Sequence, residues 1–241
     1  MTEYLFEFIG TAMLLLLGNG IVANVVLKDT KGADAGWVGI CLAWGIAVFT
    51  GVFISADVSG AHLNPAVTLG LATAGKFSWH MVPGYMLAQT LGAMVGTTMV
   101  WLAYKKQYDA TDDQGALLAT FATGPAVRSP LWNFISEAIG TFALVFGVMY
   151  IAGGTLGDEP VKLGSLDALP VALLVIGIGL SLGGPTGYAI NPARDLGPRI
   201  MHALLPLKGK GNSDWGYALI PILGPLVGGL LAAFAFLAIG V

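Results

Sequence analysis

Six long apolar runs dominate the hydropathy pattern of the chain, and each is long enough to cross a lipid bilayer as a helix. The hydrocarbon core of a bilayer is about 30 Å thick, which about 20 apolar residues in an α-helix can span. The runs cover about 4–27, 36–57, 81–103, 131–153, 168–184 and 215–239. The fifth run is short and rich in glycine. The pattern predicts an all-α integral membrane protein with six transmembrane helices.

Two further apolar stretches, near 60–74 and 187–203, are too short to cross the bilayer. Each begins with a glycine-containing coil and then contains the triplet Asn-Pro-Ala. The triplets are Asn64, Pro65 and Ala66, and Asn191, Pro192 and Ala193. Non-helical backbone is tolerated at membrane depth only where it is buried in protein or lines a water-filled cavity. The two stretches are therefore predicted to be re-entrant half-helices beside water.

The sequence also repeats itself. The two triplets are 127 positions apart, "EFIGT" at 7–11 recurs as "EAIGT" at 137–141, and "LGAMVG" at 91–96 recurs as "LGPLVG" at 223–228. These matches predict one domain over 1–241 built from two homologous halves, about 1–105 and 131–241, joined by a loop over 104–130. Each half holds three spans and one half-span, and an odd number of spans places the halves in opposite orientations across the membrane. The half-helices would then enter from opposite faces and meet near the middle.

Composition agrees with a membrane protein and narrows the function. The chain is 56% hydrophobic and 10% charged, and its net charge of −3 argues against nucleic acid as a partner. The single cysteine, Cys41, excludes an internal disulfide or a cysteine-based metal cluster. No nucleophile–base pattern or nucleotide-binding motif stands out, and the three scattered histidines do not suggest a metal site. We therefore expect no enzyme activity, no cofactor and no metal.

The chain resembles the aquaporin family over its whole length, and more closely its glycerol-facilitator branch. The resemblance is carried by "SGAHLNPAVT" at 59–68, by "GYAINPARDLGPR" at 187–199, and by the two Glu-x-x-Gly-Thr sequences. It implies an aquaporin-like inverted repeat and a passive channel for glycerol and water that excludes protons and ions. It also implies a homotetramer with one pore per subunit. We expect a multi-pass protein of a prokaryotic plasma membrane.

The Asn-Pro-Ala triplets have a physical rationale of their own. Asparagine is a preferred helix N-cap, and proline is favoured at the first helical position. If the Asn64 and Asn191 side-chain oxygens cap their half-helices, their amide hydrogens remain to face the point where the half-helices meet. A water molecule there must accept from both asparagines, so it donates only outward, and the helix dipoles oppose cations. This arrangement would hinder proton hopping.

The coils before the triplets cannot pair their carbonyl groups within a helix. We expect these carbonyls to form a ladder of hydrogen-bond acceptors along one wall of the pore. His62 could either pack within its loop or line the pore near Asn64, and the resemblance implies the second. The coil residues are Gly60, Ala61, His62 and Leu63, and Gly187, Ala189 and Ile190 with Tyr188 between them.

A selectivity constriction is implied by the resemblance, which places Trp44, Gly179 and Tyr188 beside Arg194. Trp44 and Tyr188 would form an apolar corner opposite the guanidinium, and Gly179 would leave room, which suits a polyol. Asp195 is typical of the glycerol branch. Glycerol facilitators commonly have Phe where this chain has Tyr188, and the phenol could narrow the ring or add a hydrogen bond. The choice among glycerol, water, urea, dihydroxyacetone and small neutral acids therefore stays open.

Glu7 and Glu137 lie within predicted spans, where carboxylates are costly and usually functional. A secondary active transporter, the alternative function, would use such groups as a proton relay, and inverted repeats also occur in transporters. The resemblance implies instead that each carboxylate accepts backbone N–H groups of a re-entrant loop. The equivalent positions of the two residues in the two halves favour this loop-holding role, and the sequence offers uncharged asparagines rather than a titratable group at the midplane.

The orientation in the membrane is a point of conflict. The resemblance places both termini in the cytoplasm, together with Lys76 and Lys162. The positive-inside rule favours the reverse orientation, because the family orientation leaves more cations outside the cell than inside it. The outside set is Lys28, Lys31, Lys105, Lys106, Arg128, Lys208 and Lys210. We expect the family orientation, since the resemblance covers the whole chain.

Overall fold

The computed structural model describes residues 1–151, 154–156, 159–161 and 163–240. Lys162, which the sequence analysis places on the cytoplasmic side, lies outside the described residues. Six long helices cross the molecule, and two shorter helices begin at the prolines of the Asn-Pro-Ala triplets. The six long helices are α1 (Thr2–Val26), α2 (Gly36–Ser59), α4 (Val82–Ala103), α7 (Pro130–Tyr150), α8 (Leu169–Leu182) and α10 (Leu219–Ile239). The two half-helices are α3 (Pro65–Thr73) and α9 (Pro192–Leu204). The predicted membrane fold is confirmed.

The fifth span is the shortest. Helix α8 has 14 residues, and a 3₁₀ helix over Gly164–Ala168 precedes it. Together they form an apolar segment of 19 residues, long enough to cross a membrane. Before this segment, β1 (Gly154–Leu156) pairs antiparallel with β2 (Glu159–Val161) in a small hairpin.

The loop expected over 104–130 contains two short helices, α5 (Lys105–Ala110) and α6 (Gln114–Ala119). The Asp113 carboxylate caps α6 by accepting the backbone N–H groups of Gly115 and Ala116. Tyr108 and Leu117 are buried in an apolar cluster that also contains Phe121. The hydropathy pattern predicts a loop here because the lysines and aspartates of the segment lower its mean hydropathy. The few apolar residues that become buried therefore do not stand out.

The two halves interlock through their half-helices. Helix α3 of the first half packs on α10 of the second, and α9 of the second half packs on α4 of the first. Glycines allow the close approach. A Cβ atom on Gly229 would lie 2.6 Å from the Ala66 carbonyl oxygen, and one on Gly197 would lie 2.8 Å from the Thr90 carbonyl oxygen. Each half-helix is therefore held at its depth by backbone contact with the other half.

Equivalent helix crossings correct the register of one predicted repeat. A Cβ atom on Gly92 would lie 2.3 Å from the Phe8 carbonyl oxygen, and one on Gly228 would lie 2.2 Å from the Ala138 carbonyl oxygen. Phe8 and Ala138 follow the equivalent Glu7 and Glu137, so Gly92 corresponds to Gly228. The match of "LGAMVG" with "LGPLVG" instead aligns Gly92 with Gly224, one helical turn away. Both helices contain glycines four residues apart, so their sequences can be aligned in two ways that place glycine opposite glycine.

The crossing at Gly228 gives a stability prediction. Replacing Gly228 with alanine should lower the free energy of unfolding by roughly 1–3 kcal/mol, because the methyl group would overlap a backbone carbonyl that cannot move aside. Gly177→Ala on α8 is a matched control, since a Cβ atom there would meet nothing within 4 Å. Thermal unfolding in detergent compares the two variants. Equal midpoints would contradict the packing role.

Candidate functional site

The N-termini of the two half-helices meet inside the molecule, and each is capped by its asparagine. The Asn64 side-chain oxygen accepts the N–H of Ala66 at 2.8 Å. The Asn191 side-chain oxygen accepts the N–H groups of Ala193 at 3.0 Å and Arg194 at 3.2 Å. Pro65 and Pro192 occupy the first helical positions, where the missing N–H costs nothing. Both positive helix ends therefore point toward the same region.

The asparagine amides differ from expectation in one respect. The Asn64 amide donates one hydrogen to the Ile190 carbonyl oxygen at 2.7 Å, and the Asn191 amide donates one to the Leu63 carbonyl oxygen at 2.8 Å. Each amide has two hydrogens, so only one per asparagine remains for a molecule between the half-helices. The carbonyls of the coils cannot pair within a helix, and each asparagine provides the donor for the opposite coil. This reciprocal pair joins the two halves at their meeting point.

The two coils have unusual backbone conformations. Ala61, Leu63, Tyr188 and Ile190 all have positive φ angles, between 38° and 51°, which is uncommon for residues other than glycine. Each such residue costs on the order of 1–3 kcal/mol unless its surroundings hold it in place. The backbone polar groups of the coils are turned out of helical pairing by these angles and are available to other partners.

Glu7 and Glu137 hold the coils in this conformation. The two oxygens of Glu7 accept the N–H groups of His62 at 2.9 Å and Leu63 at 2.7 Å. Those of Glu137 accept the N–H groups of Ala189 at 3.0 Å and Ile190 at 2.8 Å. Both carboxylates are buried. The two glutamates therefore make the same pair of contacts in the two halves.

The carboxylate of Glu7 has further partners that were not predicted. The Ser59 hydroxyl and the Gln89 amide each donate to Glu7 at 2.7 Å. Gln89 also donates to the Thr68 hydroxyl oxygen, which interacts with the Nδ1 atom of His62 at 3.1 Å. Ser59 is the first residue of "SGAHLNPAVT" but was given no role, and Gln89 belongs to no motif. Only their burial as polar residues within apolar helices could have marked them.

A cavity of about 150 Å³ runs past both coils and both asparagines. Its polar lining comes from the coils, Asn64, Asn191 and Arg194. Its apolar lining comes mainly from α1, α2, α7 and α8. It includes Leu14, Val48, Val52, Leu144, Val148 and Val175. The cavity thus combines a polar track with an apolar lining. The apolar lining was not predicted, because in the sequence these residues look like any others in the transmembrane helices.

Three of the four residues predicted for the constriction line this cavity: Trp44, Tyr188 and Arg194. The Arg194 guanidinium lies 4.5 Å from the centre of the Trp44 ring and points one N–H toward the Phe121 carbonyl oxygen at 3.5 Å. Both Arg194 and Trp44 are buried. Within the described part of the chain the guanidinium makes this one hydrogen bond, so most of its donors remain available to a molecule in the cavity.

Gly179 differs from its expected role of leaving room in the pore. It is absent from the described residues that line the cavity. A Cβ atom on Gly179 would lie 2.8 Å from the Tyr188 Cζ atom. The space that its missing side chain provides is filled by the Tyr188 ring, so the glycine acts on the cavity through the tyrosine.

Two other predicted residues lie near the cavity with different partners. His62 lines the cavity and also packs against the rings of Phe77 and Tyr85, with centroids 4.5 Å and 5.0 Å away. It therefore lines the cavity and is also held in place by two aromatic rings. Asp195 accepts the N–H and hydroxyl of Thr123 at 2.8 Å and 2.7 Å, and its other oxygen accepts the Arg199 Nε–H at 2.8 Å. Asp195 therefore fixes the segment that follows α6.

Arg199, which pairs with Asp195, also binds the segment before α10. Its guanidinium donates to the carbonyl oxygens of Thr123, Ser213 and Asp214 at 2.8–3.1 Å. The Asp214 carboxylate in turn pairs with Arg128, and this contact raises the pKa of the Arg128 guanidinium. The entrance near Arg194 is thus built from two surface segments tied to α9.

Comparison with known proteins identifies the family. A family model described as "Major intrinsic protein" matches residues 1–236. The chain belongs to the major intrinsic protein family. Among relatives in this family, "Glycerol uptake facilitator protein 3" of Lactiplantibacillus plantarum is 55% identical over 97% of this chain and 95% of its own length. The "Probable glycerol uptake facilitator protein" of Thermotoga maritima is 53% identical over 97% of both chains.

A solved structure of another major intrinsic protein has the same fold. The aquaglyceroporin of Plasmodium falciparum superposes with a TM-score of 0.85, at 34% identity, over 98% of this chain and 94% of its own. The resemblance drawn from the motifs, to the aquaporin family and its glycerol-facilitator branch, is therefore confirmed.

Proposed function

We propose that the protein is a passive membrane channel for glycerol and water, and not an enzyme. The observation that carries the proposal is the cavity lined by both a polar track and apolar side chains. A polyol presents hydroxyl groups along one edge and carbon atoms along the other, so it can use both kinds of lining at once. The names of the bacterial relatives as glycerol uptake facilitators support glycerol as the main solute.

The polar track is proposed to replace the water that a solute loses on entry. Carbonyl oxygens of Gly60, Ala61 and His62, and of Gly187 with Ala189, would accept hydrogen bonds from the solute. The carbonyls of Leu63 and Ile190 already accept from the asparagines, and each keeps a second lone pair. A single file of waters or hydroxyls can therefore move along the coils with few unpaired groups.

Protons and cations are proposed to be excluded where the half-helices meet. Each asparagine retains one amide hydrogen, and both helix N-termini add positive potential. A water molecule that accepts from both amides can donate only outward, which interrupts proton hopping in either direction. Arg194 adds a fixed positive charge at the constriction.

The constriction itself is proposed to consist of Trp44, Tyr188 and Arg194, with Gly179 behind Tyr188. The contact between the guanidinium and the Trp44 ring supports this assignment, because it holds the donors and the apolar surface on adjoining sides of the cavity. Glu7 and Glu137 are proposed to be structural. Their oxygens accept backbone N–H groups of the coils, which gives no support to a proton relay and therefore does not favour a secondary transporter.

The assembly and the membrane setting are also proposals. Large apolar side chains such as Ile46, Leu87 and Leu219 are about 60% exposed, as expected for surfaces against lipid or neighbouring subunits. We propose a homotetramer in a prokaryotic plasma membrane with both termini in the cytoplasm. Lys76 lies 4.6 Å from the Phe236 ring near the C-terminus, which groups this cation with the terminal face. Urea, dihydroxyacetone and small neutral acids are proposed as minor solutes.

Stopped-flow light scattering on vesicles containing the purified protein tests the channel function. Glycerol and water fluxes should rise in proportion to their gradients and should not change when a protonophore collapses the proton gradient. Protein-free vesicles provide the baseline. Glycerol flux that saturates and requires a proton gradient would establish the secondary transporter instead.

A further inference from the structure

We propose that Trp37 and Cys41, which lie outside the four predicted constriction residues, position the Tyr188 ring and thereby set the size limit for solutes. The inference rests on the proposed function, and it answers the question that Tyr188 raised. The phenol could have added a hydrogen bond in the pore, but its hydroxyl oxygen is buried and lies beside Gly179, which is not among the described residues that line the cavity. The tyrosine therefore presents its ring, and not its hydroxyl, to a passing molecule.

Trp37, Cys41 and Trp44 occupy one face of α2, since they are spaced by four and three residues. Trp44 reaches the cavity and contacts Arg194. Trp37 meets Tyr188 edge-on, with ring centroids 5.6 Å apart and planes at 82°. Its indole N–H also donates to the Gly179 carbonyl oxygen at 3.1 Å. Trp37 therefore ties together the tyrosine ring and the helix behind it.

Two glycines complete a slot for the ring. A Cβ atom on Gly179 would lie 3.0 Å from both the Tyr188 hydroxyl oxygen and the Cys41 sulfur. A Cβ atom on Gly183 would lie 2.5 Å from Tyr188 Cδ1 and 2.7 Å from Trp37 Cζ2. The slot thus has Gly179 and Gly183 as its floor and Trp37 and Cys41 as its walls. The Cys41 thiol is the polar neighbour of the phenol.

The depth of the ring in this slot fixes how far it projects toward Arg194. The backbone of Tyr188 fixes only the position of its Cβ atom, so the position of the ring also depends on the side chains packed against it. A larger side chain at 41 would push the ring toward the cavity. A smaller one at 37 would let it withdraw. Trp37 and Cys41 are therefore positioning residues that act on solutes through Tyr188.

The test compares erythritol, a four-carbon polyol, with glycerol in the same vesicles, so that the ratio does not depend on the amount of folded protein. Trp37→Ala should raise the erythritol-to-glycerol permeability ratio by at least about threefold, and Trp37→Phe should restore part of the original ratio. Cys41→Leu should lower the ratio by a similar factor, and Cys41→Ser should lower it less.

Trp79→Ala is the matched control, because Trp79 is also an exposed tryptophan but does not line the cavity. If Trp37→Ala gives the same ratio as Trp79→Ala, the inference is wrong. A parallel fall for both polyols, without a change in ratio, also overturns it. Trp37 is 41% exposed, so Trp37→Ala provides a result even if Cys41→Leu does not fold. Wild-type glycerol flux independent of a proton gradient would leave the proposed function intact in either case.

Discussion

Replacing Glu137 with alanine should lower both glycerol and water permeability at least about tenfold, because two buried backbone N–H groups lose their acceptor. The N–H groups of Ala189 and Ile190 would be left unpaired, at a cost of about 1–3 kcal/mol each. They belong to the coil that holds Tyr188 and precedes Asn191. Without the carboxylate, the positive φ angles of Tyr188 and Ile190 would lose their support. Light scattering on reconstituted vesicles measures the loss.

Glu3→Ala is the control for the loss of a carboxylate, since Glu3 is a partly exposed residue that pairs with the N-terminal amine and lies outside the coils. Glu137→Gln should have an intermediate effect, because the amide keeps one acceptor oxygen but places a donor against the other backbone N–H. If Glu137→Ala conducts glycerol as well as Glu3→Ala does, the carboxylate does not hold the coil. A glutamine variant that retains full flux under all conditions would in addition show that the charge is dispensable.

The elements of the fold were predictable because a membrane imposes simple rules on the sequence. Length and hydropathy alone gave the six spans, with α1 at Thr2–Val26 against a predicted 4–27. The half-helices were predictable for a different reason. Asparagine and proline mark a helix start chemically, and 60–74 and 187–203 were too short to cross. The capping bonds of Asn64 and Asn191 follow directly from that chemistry.

Contacts between the two halves could not be predicted in the same way. The bonds from Asn64 to Ile190 and from Asn191 to Leu63 join residues 126 and 128 positions apart, and nothing local specifies them. The sequence alignment of α4 with its repeat equivalent, α10, was wrong by one helical turn, because glycines recur at that spacing in both helices. The role of Gly179 was also misjudged, since a glycine does not show which neighbour fills its space.

The two halves share a scaffold but differ in what they add to it. Thr68 and Asp195 each lie four residues after the asparagine of their triplet. Thr68 is uncharged and interacts with His62 and Gln89 within the first half. Asp195 pairs with Arg199 and anchors Thr123, so the second half carries a buried ion pair that shapes one entrance. Because Arg194 also lies in this half, we propose that solutes are selected at one end of a nearly symmetric cavity.

Replacing Gly179 with histidine should reduce glycerol permeability at least about tenfold and water permeability much less, because the imidazole must compete with Tyr188 for the same space. A Cβ atom there already lies 2.8 Å from the tyrosine ring. Either the ring or the imidazole is therefore forced toward the cavity of about 150 Å³. A water molecule occupies only about 30 Å³ in the liquid and can still pass in single file.

The double variant Gly179→His/Tyr188→Ala separates steric blockage from misfolding. Removal of the ring gives the imidazole the space that Tyr188 occupied, so glycerol flux should recover relative to Gly179→His alone. Gly177→Ala, two residues earlier on α8, controls for substitution of a glycine in this helix, because a side chain there meets nothing within 4 Å. Equal losses of glycerol and water flux in Gly179→His would refute this account of the constriction, since they would show that the ring of residues around Arg194 does not discriminate by solute size.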